Sequence, residues 1–204
     1  MMEIPQIADL LSPYVSLSSE QLGLTSMYID ILLKWNDSIN LTAIRRPEDI
    51  VTRHFGESFF VAQKLVSESW RGSVIDFGSG PGFPGIPVAL YRPSVSMTLI
   101  ESNGKKSTFL TEIISQLGLG NVEVFRGRGE SYAGKAELVL MRAVERFADA
   151  FSVAAGLVAP GGRVGLLLGE GQVEDAKAGH PEFRWDEVVP IPLGNSRVLL
   201  VGNL

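Results

Sequence analysis

The 204-residue sequence predicts an α/β fold in which helices cover both faces of a mostly parallel β-sheet. Three observations predict it: strand-like and helix-like segments alternate from Ser73 onward, a glycine-rich turn follows the first apolar strand, and a helical pattern precedes both. Such a sheet places its ligand crevice at the carboxyl ends of its strands. We therefore expect an N-terminal helical cap over residues 1–72, packed on a main domain over residues 73–204 as one structural unit.

The cap is predicted from two helical patterns. Ser18 and Gln21 have the spacing of a capping box, which indicates a helix start. Apolar residues then recur at helical spacing, at positions 24, 28, 31, 32, 35 and 39. Pro47 opens a second helix. Its expected apolar face comprises Ile50, Phe59, Ala62 and Leu65.

The main domain is predicted from the alternation after residue 72. Expected strands cover residues 73–77, 95–100, 122–125, 138–141 and 163–168, with a closing pair at 187–191 and 198–201. One expected helix ends at Tyr91, and two others cover residues 105–117 and 145–155. Each helix follows a strand, as in parallel βαβ units.

Composition narrows the class of protein. No apolar run approaches the roughly 20 residues that span a bilayer, and the chain start lacks a signal-peptide pattern, so we expect a cytoplasmic protein without membrane contact. Cysteine is absent and the two histidines, His54 and His180, are far apart in sequence, which predicts no metal site. A monomer is expected.

Net charge argues against general nucleic-acid binding. The chain carries −5 at pH 7, whereas proteins that neutralise phosphates usually present a basic surface. Charge is uneven, however, because residues 73–146 hold seven acids against eight Lys and Arg. A local cationic rim of Arg45, Arg46 and Arg53 beside His54 also suits RNA phosphate.

The glycine-rich turn from Gly78 to Gly85 predicts a nucleotide-like ligand. Gly78, Gly80 and Gly82 allow sharp turning and let backbone N–H groups approach a ligand. Glu101 ends the second predicted strand, where a doubly wound sheet presents an acid to ribose hydroxyls. Arg142 ends the fourth strand and faces the same crevice.

A further candidate segment follows the third strand. Gly127 to Glu130 would place backbone groups and a carboxylate near an adenine edge.

Two cofactors fit these residues. Residues 80–85 satisfy the G-x-G-x-x-G pattern of nicotinamide dinucleotide sites, with Glu101 at about the expected interval of 20 residues. A pyrophosphate, however, does not favour the carboxylate of Asp76 beside it. S-adenosylmethionine has no phosphate and carries a sulfonium and an ammonium, both of which suit an acid at the strand end. A dinucleotide-dependent oxidoreductase and a non-catalytic RNA-binding assembly factor remain alternatives.

The whole chain resembles the glucose-inhibited division B family, bacterial methyltransferases that modify N7 of a guanine in 16S ribosomal RNA. The motifs that carry this resemblance are Trp35-Asn36, Asn40-Leu41-Thr42, Arg53-His54-Phe55, the run from Gly78 to Pro87, Glu101-Ser102 with Lys105, Gly127 to Glu130, and Arg142-Ala143-Val144. The most specific is Gly-Phe-Pro-Gly-Ile-Pro after the turn.

The resemblance implies a seven-stranded class I methyltransferase sheet and S-adenosyl-L-methionine as cofactor. The cofactor-binding residues expected from the turn and the resemblance together are Gly78, Gly80, Gly82, Phe83, Glu101, Gly129, Glu130 and Arg142. Expected RNA contacts are Arg45, Arg46, Arg53 and His54, with 16S rRNA or an assembling small subunit as partner. No catalytic side chain is expected, because guanine N7 carries a lone pair and no proton.

The sequence departs from the family pattern at three places. Gly129 stands where alanine is usual, and Glu57 stands where aspartate usually follows the His-Phe pair. Leu168-Gly169 replaces a common Lys-Gly after the fifth strand, which removes a cation from the expected RNA side.

Overall fold

A computed structural model describes residues 2–144 and 146–204 and has the predicted α/β architecture. The helices are α1 (Ile4–Leu11), α2 (Ser19–Ile39), α3 (Pro47–Ile50), α4 (Glu57–Leu65), α5 (Gly85–Tyr91), α6 (Gly104–Leu117), α7 (Phe147–Gly156) and α8 (Val173–Gly179). The strands are β1 (Ser73–Phe77), β2 (Ser96–Glu101), β3 (Val122–Arg126), β4 (Ala136–Arg142), β5 (Val158–Gly169), β6 (Arg184–Trp185), β7 (Val189–Pro190) and β8 (Arg197–Asn203).

One sheet runs through the described residues in the order β3-β2-β1-β4-β5-β8-β6, with β7 also paired to β8. Strands β1 to β5 are parallel, whereas β8 runs antiparallel to β5, β6 and β7. The chain order reverses at β1, between β2 and β4, which places a ligand crevice at its carboxyl end.

The strand count differs from the expected seven, because this sheet has eight strands in the described part of the chain. The additional strand arises at the edge, where two short segments, β6 and β7, both pair with β8. Between them, Asp186 N–H still donates to the Val201 carbonyl at 2.9 Å. The edge is therefore one interrupted strand.

The predicted cap helices are present, with one difference. Ser18 and Gln21 form the expected capping box on α2. The second predicted helix is divided into α3, a π-helical turn over Val51–Gly56, and α4. Its four predicted apolar positions are all buried. π-Turns of this kind often occur at functional sites.

Helices of the cap and one face of the sheet share a single hydrophobic core. Tyr28 of α2 and Phe55 of the π-turn belong to the same buried cluster as Val74 of β1 and Leu99 of β2. Residues on the opposite face of β1, Ile75 and Phe77, pack with α7 and α8 instead. Side chains alternate between faces along a strand, so Asp76 points with Val74 toward the cap side.

Two helices, α1 and α8, were not predicted from the sequence, and the helix expected over residues 145–155 begins at Phe147. The position of Glu145 lies outside the described residues. Among the residues that are described, no helix is long and apolar enough to cross a membrane.

Candidate functional site

A cavity of about 390 Å³ opens at the carboxyl ends of β1, β2 and β4. Its volume lies within the range usual for small-molecule sites. Four predicted cofactor residues line it: Gly78, Glu101, Gly129 and Glu130. The remaining lining residues are Phe77, Ile100, Ser102, Gly127, Arg128, Val144, Arg146, Asp149, Ala150 and Val153.

The glycine turn uses its backbone N–H groups internally. Gly78 and Ser79 N–H donate to the Ile100 carbonyl, Gly82 and Phe83 N–H donate to the Ser79 carbonyl, Gly80 N–H donates to Glu101, and Gly85 N–H donates to Asp76. Residues 81 and 84 are prolines and have no N–H. Every N–H from Gly78 to Gly85 therefore has a protein acceptor, and the expectation that they reach a ligand is wrong for this structure.

Glycine is required in the turn for its backbone conformation. Gly78, Gly80 and Gly82 have φ values of 71°, 56° and 93°, which residues other than glycine rarely adopt. Gly78 also lies close to Val144, because an added Cβ would be 3.0 Å from its Cγ2. Of the three predicted glycines, Gly78 lines the cavity, whereas Gly80 and Gly82 are not among its lining residues.

Asp76 stabilises the end of the glycine turn through a hydrogen bond to its backbone. Its carboxylate is fully buried, and Oδ2 accepts the Gly85 N–H at 3.0 Å at the start of α5. Burial raises the pKa of Asp76 to about 7, although the hydrogen bonds from Gly85 and Ser79 oppose this shift. The sequence-based expectation that Asp76 faces a cationic ligand is wrong, because its side chain lies on the cap face of β1.

Glu101 is the acid that does reach the cavity. Oε2 accepts the Gly80 N–H at 2.8 Å and Oε1 accepts the Asn103 N–H at 2.7 Å. The residue is 7% exposed and lines the cavity. Glu101 therefore joins the end of β2 to the turn that follows β1.

The segment after β3 forms one wall of the cavity. Gly129 is buried and begins a short 3₁₀ turn, on which Glu130 is exposed. A Cβ at position 129 would overlap the ring of Phe77, the last residue of β1. Phe77 occupies the space that the alanine usual in the family would need.

Phe83 lies behind the cavity and is not among its lining residues. Its ring stacks between Tyr28 at 5.4 Å and His54 at 4.7 Å. The Tyr28 hydroxyl donates to the Pro81 carbonyl, and a Cβ at Gly82 would meet that hydroxyl. Phe83 and Gly82 thus connect the turn to the cap.

Arg142 also lies outside the cavity lining. Nη2 lies 3.2 Å from Glu57 Oε2 and donates to the Arg53 carbonyl at 2.6 Å. Burial lowers the pKa of Arg142 to about 10, while Glu57 opposes the shift, so the guanidinium stays charged at neutral pH. Arg142 joins β4 to α4 and the π-turn.

The predicted RNA rim contains three exposed arginines and one buried histidine. Arg45 donates to Asn40 at 2.9 Å. Arg46 lies 3.9 Å from both Glu48 and Asp49, with its side chain 77% exposed. Arg53 is exposed on the π-turn.

His54 differs from its neighbours. Its Nε2 lies 2.8 Å from Thr42 Oγ1, and Nδ1 is buried without a hydrogen-bond partner among the described residues. Burial, followed by the charges of three arginines, lowers the pKa of His54 to about 3. His54 is therefore neutral at physiological pH. It is buried beneath the exposed arginines, where it contacts Thr42 and stacks on Phe83.

Sequence reasoning missed the cavity wall formed by Val144, Arg146 and Asp149. Val144 belongs to the Arg142-Ala143-Val144 motif, but no local pattern in the sequence assigns it to a ligand. Ala143 and Arg146 have left-handed φ values of 48° and 51°, which are uncommon for residues with side chains and occur at functional loops. Leu168, which replaces the lysine common in the family, is buried in β5 opposite Val198.

Comparison with known proteins gives matches in sequence and in fold. The family model GidB, described as rRNA small subunit methyltransferase G, matches residues 21–194. Ribosomal RNA small subunit methyltransferase G of Xanthomonas campestris pv. campestris (strain 8004) is 38% identical over 166 residues, 80% of this chain and 76% of that protein.

Solved structures share the fold at low sequence identity. Ribosomal protein L11 methylase from Lactobacillus delbrueckii subsp. bulgaricus superposes with a TM-score of 0.61 at 15% identity, over 74% of this chain and 77% of that one. TYW2 from M. jannaschii, solved in complex with AdoMet, has a TM-score of 0.56 at 19% identity, over 72% and 74% of the two chains. Both solved structures share the architecture of this chain.

Proposed function

Because the chain belongs to the GidB family, rRNA small subunit methyltransferase G, we propose that it transfers a methyl group from S-adenosylmethionine to N7 of a guanine in 16S ribosomal RNA. Small-subunit rRNA is the substrate class that the family name gives. The choice of N7 follows from the resemblance in the motifs around the glycine turn.

The single observation that supports this cofactor best is the internal pairing of the turn. A dinucleotide site binds pyrophosphate through free N–H groups at a strand-to-helix turn. Here those N–H groups are all paired, and the Asp76 carboxylate occupies the start of α5. A pyrophosphate would find no free N–H group in such a turn, whereas a ligand without phosphate does not need one.

The cavity residues divide into direct and supporting roles. Glu101 would accept the ribose hydroxyls, and Gly129 with Glu130 would meet the adenine edge. Gly78 would border the ligand, while Gly80 and Gly82 keep the turn in its left-handed conformation. Phe83 and Arg142, which lie outside the lining, would act by holding the turn and the end of β4.

RNA would approach from the cap side. Arg45, Arg46 and Arg53 supply exposed positive charge, and phosphate contacts of this kind position a nucleic acid without reading its sequence. His54 would orient the π-turn that carries Arg53 rather than exchange a proton.

The proposed chemistry requires positioning more than proton transfer. When bound, S-adenosylmethionine supplies an electrophilic methyl group. Guanine N7 has a free lone pair, so the protein only has to hold the base with N7 aligned on the methyl group. No general base is assigned to any residue.

The test is an incubation with tritiated S-adenosylmethionine and small-subunit RNA, either naked or assembled into particles, followed by identification of the labelled base. Label in 7-methylguanine supports the proposal. NADH binding by calorimetry without any response to S-adenosylhomocysteine would favour the oxidoreductase, and RNA binding without transfer would favour the assembly factor.

A further inference from the structure

Two arginines lie beside one buried carboxylate outside the cavity, and a third is joined to them through its backbone carbonyl. Glu57 Oε2 lies 3.2 Å from Nη2 of Arg142 and 3.4 Å from Nη2 of Arg197. Arg142 donates in turn to the carbonyl of Arg53. We define Arg53, Glu57, Arg142 and Arg197 as the Glu57 cluster.

The Glu57 cluster carries more positive charge than its carboxylate balances. Besides burial, the charges of Arg197 and Arg53 lower the pKa of Arg142, as expected for cations held close together. In the described part of the chain, Nη1 of Arg142 is buried and has no hydrogen-bond partner. One carboxylate does not neutralise three guanidinium groups, and burying uncompensated charge is costly, so the excess charge indicates an anionic ligand.

Arg197 is placed to reach such a ligand. It begins β8 opposite Gly169, at the carboxyl end of β5, which is the end of the sheet that carries the cavity. Its side chain is 28% exposed, compared with 9% for Arg142. Arg142 is thus the inner member of the cluster and Arg197 is open to solvent.

The backbone before Arg197 is held in an uncommon conformation. Leu193 and Ser196 both have φ values of 54°. Arg197 N–H donates to the Gly194 carbonyl, and the Arg197 carbonyl accepts the Ile191 N–H, each at 3.0 Å. Left-handed residues with side chains cost energy and occur where a loop must present a group in a fixed position.

We infer that Arg197, together with Arg53, binds a backbone phosphate of the RNA substrate. This inference depends on the proposed function, because that function names RNA as the anion. A guanidinium matches a phosphate with two parallel hydrogen bonds. Glu57 is then a positioning residue that holds the guanidinium groups of Arg142 and Arg197.

The experiment measures the affinity for small-subunit RNA at several salt concentrations for wild type, Arg197→Gln and Arg184→Gln. Arg184 is the matched control, because it is exposed on β6 opposite Asn203, at the other end of β8. Both variants remove one positive charge, but only Arg197 lies beside the cluster. S-adenosylhomocysteine affinity and thermal unfolding are measured for each protein.

We expect Arg197→Gln to weaken RNA binding about tenfold and to reduce the salt slope by roughly 0.7 to 0.9. Arg184→Gln should change neither, and cofactor binding should persist in both variants. If Arg197→Gln does not fold, Arg197→Lys keeps the charge and loses the bidentate geometry. It should then weaken RNA binding while retaining the wild-type salt slope.

Equal RNA affinity of wild type and the Arg197 variants overturns the inference. A parallel loss of RNA and S-adenosylhomocysteine binding also overturns it, because Arg197 would then serve only the fold. If wild type binds S-adenosylhomocysteine but no RNA, the proposed function fails and the inference fails with it.

Discussion

Glu101 accepts a hydrogen bond from the backbone N–H of Gly80 at 2.8 Å, so the acid that ends β2 fixes the glycine turn that follows β1. The second carboxylate oxygen accepts the Asn103 N–H at 2.7 Å. An ionised carboxylate has about four acceptor positions, so these two bonds leave capacity for ribose hydroxyls. One side chain can therefore hold the site together and bind the ligand.

Replacing Glu101 with alanine should weaken S-adenosylhomocysteine binding by about tenfold or more, because charge-assisted hydrogen bonds are lost. It should also lower the melting temperature of the ligand-free protein, because Gly80 and Asn103 lose their acceptor. Calorimetry and thermal unfolding measure the two effects. Glu112→Ala, at an exposed position of α6, is the control. An unchanged dissociation constant would remove Glu101 from the ligand site.

Asp76 should make the protein less stable as pH rises. Its folded pKa of about 7 lies above the ordinary value of 3.8, so the folded state holds the proton more tightly. The stabilising contribution is therefore complete below about pH 4 and is lost as pH rises through 7. Asp76→Asn stays neutral and keeps an acceptor for Gly85.

Urea unfolding of wild type and Asp76→Asn between pH 5 and 8 tests this expectation. The free energy of unfolding of wild type should fall relative to the variant, by at most about 1.4 kcal/mol per pH unit. Parallel pH curves for the two proteins would mean that Asp76 does not titrate in this range.

The rate of methyl transfer should not depend on a side-chain base. With saturating RNA and cofactor, the single-turnover rate should be nearly flat between about pH 6.5 and 9. His54 cannot cause a titration there, because its pKa is lowered to about 3. His54→Gln should impair RNA binding and leave the pH profile unchanged.

Asp76→Asn is the control for the same profile, since a shallow slope that disappears in this variant would come from the turn. A steep rise with pH that is lost in His54→Gln would contradict the proposal. The acceptor would then be an exocyclic amine or a hydroxyl, which must lose a proton.

The fold and the family could be predicted from local signals. The apolar run before Gly78 gave β1 with the bounds that the structure has, Ser73–Phe77. The family model confirms the predicted family, and the solved methyltransferases confirm the fold class. The short helices α1 and α8 and the two-residue strands β6 and β7 carry too little periodicity for a reliable prediction.

The directions of individual side chains could not be predicted, because they depend on contacts distant in sequence. Phe83 points toward the cap because its ring stacks on Tyr28. The Tyr28 hydroxyl also donates to the carbonyl of Pro81, which is 53 residues away in sequence. Arg142 points toward Glu57 and the carbonyl of Arg53, which is 89 residues away. Only the alternation along β1 could have indicated that Asp76 lies on the face of Val74.

Gly129 and Phe77 should be energetically coupled. A Cβ at position 129 would overlap the Phe77 ring, although the backbone of Gly129 is not in the left-handed region. Gly129→Ala should therefore move the ring or the wall and weaken S-adenosylhomocysteine binding about tenfold, by roughly 1.4 kcal/mol. Phe77→Leu removes the overlapping atoms.

The double variant Phe77→Leu/Gly129→Ala should regain most of the affinity lost in Gly129→Ala. A double-mutant cycle on the dissociation constant and on the free energy of unfolding gives the coupling, expected at about 0.5–3 kcal/mol. Gly104→Ala is the matched control, because an added Cβ there meets nothing within 4 Å. Strictly additive effects of the two substitutions would show that Phe77 does not determine why glycine is needed at position 129.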